Sequence, residues 1–125
     1  MTYGRGEKEI GDALRARGLE VVPQVRVPHE QDRGHHYDID LALFPLAVEV
    51  HGDKNHPRYR PNFQDRSSWL IRQGWAIAYV WLYKEHRHTV EVINELESFY
   101  RELQKGNPDR YRLYHWDGQL MEKVA

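Results

Sequence analysis

The stretch WAIAYVWLY, residues 75–83, limits the fold more than any other part of this chain. It is almost wholly apolar, rich in aromatic and β-branched side chains, and bounded by Gly74 on one side and charged residues on the other. A strand of this kind is buried on both faces, which is the condition of a central strand in a sheet with helices above and below it.

Helices able to supply that cover flank it in the sequence. Over 7–17, Ile10, Ala13 and Leu14 recur on one face, and Gly18 stands where a helix stops. Asn62 is placed to cap a helix over 63–73 that Gly74 ends, and Thr89 to cap one running to Gln104. The latter has Val92, Leu96, Phe99 and Leu103 on one stripe, with Ile93 and Tyr100 beside it.

Strands are expected at 37–43, at 46–51, and at 21–27, where Pro23 and Pro28 assign the segment to a sheet edge. Residues 111–124 read as a hairpin about Asp117-Gly118, a dipeptide suited to a type I′ turn. The polar stretches 29–36, HEQDRGHH, and 51–61, HGDKNHPRYRP, read as loops, the first of them mobile. With 125 residues there is material for one core and too little for two. The expectation is an α/β fold, a mixed β-sheet flanked by helices in one domain over 1–125.

Composition narrows the chemistry. The chain has no cysteine, which excludes disulfides, thiolate zinc sites and cysteine nucleophiles. Any metal must be held by Asp, Glu, His or backbone carbonyls, and oxygen ligands point to Mg²⁺ or Mn²⁺. No apolar run approaches the ~20 residues of a membrane span, and the start MTYGRGEKE has no apolar signal core, so no membrane partner and a cytoplasmic location are expected. A net charge of −1 gives no overall attraction to nucleic acid. The basic character is local: Lys54, Arg58, Arg60, Arg66 and Arg72 fall within one stretch against Asp65 alone.

Candidate chemistry gathers in the 37–51 hairpin. Alternation puts Ile39, Leu41 and Leu43 on one face of the first strand and Asp38, Asp40 and Ala42 on the other. In the second strand Ala47, Glu49 and His51 share a face, so an antiparallel pairing brings Asp40 and Glu49 together beside a histidine. Like charges on adjacent strands repel, and a divalent cation is the simplest offset. A plain solvated face would show the same alternation, but in a sheet covered on both sides an uncompensated charge costs several kcal/mol. Asp38 replaces Asp40 if the register slips by two.

The order of a helix, a strand hairpin carrying Asp and then Glu-x-His, a basic loop, a helix and an apolar strand resembles the PD-(D/E)XK, or restriction-endonuclease-like, nuclease superfamily. It looks closest to the very short patch repair endonucleases and their homing-endonuclease relatives. Four segments carry the likeness: DLAL at 40–43, LAVEVHG at 46–52 with the following His56, QDR at 64–66, and GWAIAYVW at 74–81, together about half the chain.

The resemblance implies a Mg²⁺-dependent DNA endonuclease, with Mn²⁺ a substitute, cutting one strand or both. It implies that Asp40, Glu49 and the carbonyl of Val50 hold the metal and that His56 serves as acid or base. Asp65 matches the trailing acid of the homing-type pattern and Glu7 the leading one. Glu7 also shares a helical face with Ile10 and Leu14, which directs it to the core side.

His51 stands in the usual lysine position and is a second proton-transfer candidate, since histidine titrates nearest neutrality. Lys54, Arg58, Arg60, Arg66 and Arg72 are candidate phosphate contacts, positioning DNA without reading it. Trp69 is expected on the outer face of its helix. With no separate recognition domain in the sequence, specificity falls to loops, a homodimer or a larger recognition partner. The chain departs from the pattern twice: a cysteine-containing zinc site of the repair enzymes is impossible here, and histidine replaces the motif lysine. A nuclease fold kept as a nucleic-acid-binding or assembly module is the alternative.

Overall fold

In the computed structural model, which describes residues 6–28 and 36–125, strand β4 (Ala76–Trp81) lies between two parallel neighbours, β3 (Leu46–His51) and β5 (Tyr111–His115). Five of its six residues are buried, as its unbroken apolar run requires. Outward from β3 come β2 (His36–Leu43) and β1 (Val22–Pro28), each antiparallel to its neighbour, and β6 (Leu120–Val124) closes the far side antiparallel to β5. The sheet is thus mixed and six-stranded in the order β1-β2-β3-β4-β5-β6. The proline-bearing β1 is an edge strand, where missing N–H donors cost no ladder bond.

Helix α2 (Phe63–Arg72) connects β3 to β4, and α3 (Val90–Gln104) connects β4 to β5. Parallel neighbours need such crossovers, whereas β2 and β3 are joined by Phe44 and Pro45 alone. Helix α1 (Glu7–Arg15) shares one face of the sheet with α3. Ile10, Leu14, Val92, Leu96 and Phe99 pack there on Leu41, Leu46, Val48, Ala78 and Val80. On the other face Leu70 of α2 packs with Ala47, Ile77, Tyr79 and Leu113. No helix among the described residues is long and apolar enough to cross a membrane.

The helix ends differ from expectation in detail. Asn62 precedes α2 but adopts a left-handed conformation (φ 61°) and makes no side-chain cap. Thr89 precedes α3, yet its hydroxyl donates to the carbonyl of Trp116 (3.2 Å), tying the helix start to the β5–β6 turn. That turn is not the expected two-residue form. His115 pairs with Gln119 across a three-residue loop, and Gly118, at φ 89°, donates to the His115 carbonyl. A Cβ at Gly118 would come within 2.9 Å of the Glu91 backbone. The 51–61 loop contains a 3-10 turn, Pro57–Tyr59. The 29–35 part of the other expected loop, with His35, lies outside the described residues, and His36 opens β2.

Candidate active site where β2 and β3 part

The β2–β3 ladder runs Leu43 to Leu46, Ala42 to Ala47 and Leu41 to Val48, and then ends. The next pair in this register is Asp40 with Glu49, so the chain keeps the unslipped alternative and Asp38 does not take Asp40's place. Side chains replace the ladder there. The Asp40 N–H donates to Glu49 Oε2 (3.2 Å), and the Val50 N–H donates to Asp40 Oδ2 (2.9 Å). Each carboxylate accepts a main-chain bond from the opposite strand, and both lie in the wedge where the strands separate.

The other side of Asp40 is irregular as well. The β1–β2 register is unbroken from Val22–Ala42 to Pro28–His36 except opposite Asp40, where Gln24 has φ 52°. With both ladders lapsing at one residue, the strand turns over. Ile39 packs in the α2-side cluster with Ala42, while Leu41 and Leu43 pack on the opposite face. The strict alternation expected of 39, 41 and 43 therefore stops at Asp40.

Glu49 is fully buried, directly beside Tyr79 of β4 in the register. Arg66, from α2, reaches across to it: the guanidinium pairs with Glu49 Oε1 and donates to the Asp38 carbonyl. Arg66 was expected to face DNA, but it is only 8% exposed and its charge is spent inside the protein. Burial, and then the neighbouring Asp40 charge, push the Glu49 carboxyl up to about 8 against the opposing pull of Arg66. Burial and Glu49 likewise push the Tyr79 hydroxyl up to about 12. That hydroxyl and Arg66 Nη1 are buried without a hydrogen-bond partner among the described residues. Such a cluster stores a cost that packing alone would avoid.

Asp40 opens outward. The residue lines a cleft of about 350 Å³ with Gln24, Tyr37, Asp38, Arg60 and Asn62. Glu7 is 4% exposed and reaches this cleft through Gln24, whose Nε2 donates to Glu7 Oε2 (2.6 Å). Among the described residues no three His, Asp or Glu side chains converge on one point. The donor set nevertheless suits Mg²⁺, which takes one or two carboxylates and completes its shell with water and substrate oxygens. A cation would also relieve the repulsion that raises Glu49.

The candidate histidines do not line this cleft. His51 Nε2 meets the Asn55 carbonyl (3.0 Å), and burial lowers its pKa. His56 accepts the Arg58 N–H at Nδ1 (3.1 Å) and therefore carries its proton on Nε2, which donates to Glu122 Oε1 (2.8 Å). Arg58 binds the same Glu122 oxygen (2.7 Å).

Asp65 is exposed and lines a different cleft, with Tyr111 and Glu122. Val50 contributes its N–H to Asp40, and Lys54 is exposed. Arg72 is exposed over the Trp69 ring, while Trp69 itself is buried and donates to the Pro28 carbonyl (3.0 Å) instead of facing outward. Of the five basic candidates, only Arg60 and Arg66 line the Asp40 cleft.

Two residues of the site escaped the sequence reading. Gln24 sat in a plain edge strand with no signal of its positive φ, and Arg66 read as one more surface cation of a basic stretch. An arginine preceding Ser67 and Leu70 on the sheet-facing stripe of α2 was the available clue to the second. No protein-family model, curated protein or solved structure matches this chain.

Proposed function

We propose that this chain is a divalent-cation-dependent DNA endonuclease of the PD-(D/E)XK, very short patch repair or homing type. The observation that carries the reading is the parting of β2 and β3 at Asp40 and Glu49, which turns two ladder positions into a pair of carboxylates beside an open cleft. Asp40 and Glu49, with the Val50 carbonyl, would hold Mg²⁺ or Mn²⁺. When bound, the cation supplies neutralisation of the phosphate oxygens and a more acidic water.

The chain's own groups do the rest. The Val50 and Asp40 N–H groups fix the two carboxylates in place, and Arg66 ties Glu49 of β3 to α2. Arg60, on the cleft wall, offers a cation for a backbone phosphate. In this reading the exposed Lys54, Arg58 and Arg72 add phosphate contacts further out.

The test is digestion of supercoiled plasmid with Mg²⁺. Cleavage stops on adding EDTA, and Asp40→Asn and Glu49→Gln each slow it by on the order of 1,000-fold. If the parent cuts nothing across several divalent metals, or either variant cuts as fast as the parent, the reading fails.

One observation favours a second reading, a nucleic-acid-binding module without turnover. Arg66 already supplies a positive charge to Glu49, the role a cation would fill. Salt-sensitive DNA binding by a folded protein that never cleaves would select it.

A further inference from the structure

We propose that Gln24 is a positioning residue of this site, with the backbone turned out of the β1 ladder so that its amide holds the attacking water against Asp40. The inference rests on the nuclease reading above and adds to it a residue on an element that carries none of the acids.

Three observations meet at Gln24. Its φ of 52° is one that glycine and asparagine tolerate far better, and the flanking residues Pro23 and Val25 keep their pairing with Leu41 and Ile39. A strand that could have continued is thus interrupted at the single position facing Asp40. Backbone strain of this kind persists where the surroundings enforce it, and it concentrates at working sites.

The second observation is where the side chain goes. It lines the Asp40 cleft, and its Nε2 is held by Glu7, a buried carboxylate on α1. The third is what remains open: among the described residues Gln24 Oε1 accepts no hydrogen bond. Glu7 accepts from the amide nitrogen, which fixes the amide and leaves its oxygen as an acceptor at the cleft that Asp40 also lines. Two acceptors, one charged and one neutral, define a place for a water whose lone pair is aimed elsewhere. Glu7 then acts through Gln24.

Gln24→Asn tests this, because asparagine accepts the left-handed backbone but is one methylene too short to keep the reach to Glu7. Steady-state cleavage with Mg²⁺ should show kcat down roughly 100-fold, with DNA affinity in EDTA unchanged. Circular dichroism and thermal melting establish that the variant is folded, and Gln24→Gly serves if it is not. In the cycle with Glu7→Gln, the double variant should be no slower than Gln24→Asn alone, because both changes remove one action.

A purely structural Gln24 would move the melting temperature and leave kcat alone. A folded Gln24→Asn with kcat within about threefold of the parent, or additive losses in the cycle, overturns the proposal. Those outcomes leave the nuclease reading standing provided Asp40→Asn still abolishes cleavage. A parent that cleaves nothing removes both.

Discussion

The two faces of the sheet are built to different ends. Against α1 and α3 the buried cluster is aliphatic and aromatic from Ile10 and Leu14 to Phe99 and Tyr114, and the buried charge of α1, Glu7, stands at its first turn beside Gln24. Against α2, the same sheet buries Glu49, Arg66 and Ser67 among Ile77, Tyr79 and Leu113. A helix that needed only to cover a sheet would have no use for an arginine at its centre. An apolar pair of similar volume in place of Glu49 and Arg66 would be as stable or more so. The first face therefore carries stability, and the second gives some of it up to keep two carboxylates in a wedge.

That contrast can be broken most sharply at Arg66. Arg66→Met leaves Glu49 without its cation and should cost about 3–5 kcal/mol in urea unfolding at alkaline pH. Adding Glu49→Leu should recover most of the loss while cleavage stays absent, which separates the stability of this face from its use. On the opposite face, Leu96→Ala opens a cavity and should cost about 2–5 kcal/mol. Its cleavage rate per folded molecule should match the parent.

The polar face should also respond to pH. The Glu49 carboxyl lies near 4.5 when unfolded and about 8 when folded, so the native state binds the extra proton between those values. Stability from this group is complete below about pH 4.5 and is lost as pH rises toward 8, at up to about 1.4 kcal/mol per pH unit. Urea unfolding followed from pH 5 to 8 should show that decline, and Glu49→Gln should flatten it.

The smallest effect is expected at His56. Its ring caps the 3-10 turn and binds Glu122 on β6, away from the Asp40 cleft. His56→Ala should cost about 1 kcal/mol and leave cleavage within about threefold. A collapse in rate with unchanged stability would return His56 to the chemistry that the sequence suggested for it.

How much of this was legible in the sequence depends on how local the cause is. The apolar run before Trp81, the stripe of α3 and the prolines of β1 each act through their own neighbours, and the fold class followed from them. The facing of Asp40 and Glu49 needed only a hairpin joined by two residues. What could not be read was the lapse of both ladders at Asp40, because no residue type announces it. Gln24 takes a conformation usually left to glycine, and the strand turns over so that Ile39 joins the α2 side. Arg66 was misplaced for a related reason, since an arginine is buried only when a partner far away in the chain receives it. The two facing acids were visible; the groups that hold them were not.

Everything proposed for the wedge between β2 and β3 depends on its binding a catalytic cation. Calorimetric titration of the folded protein with Mn²⁺ near pH 8, repeated in buffers of different ionisation enthalpy, addresses it most directly. Binding should be saturable, release a proton from Glu49 and disappear in Asp40→Asn, while Leu96→Ala retains it. A folded parent that binds no cation, or an Asp40→Asn variant that binds it as tightly as the parent, would mean that the wedge is not a cation site.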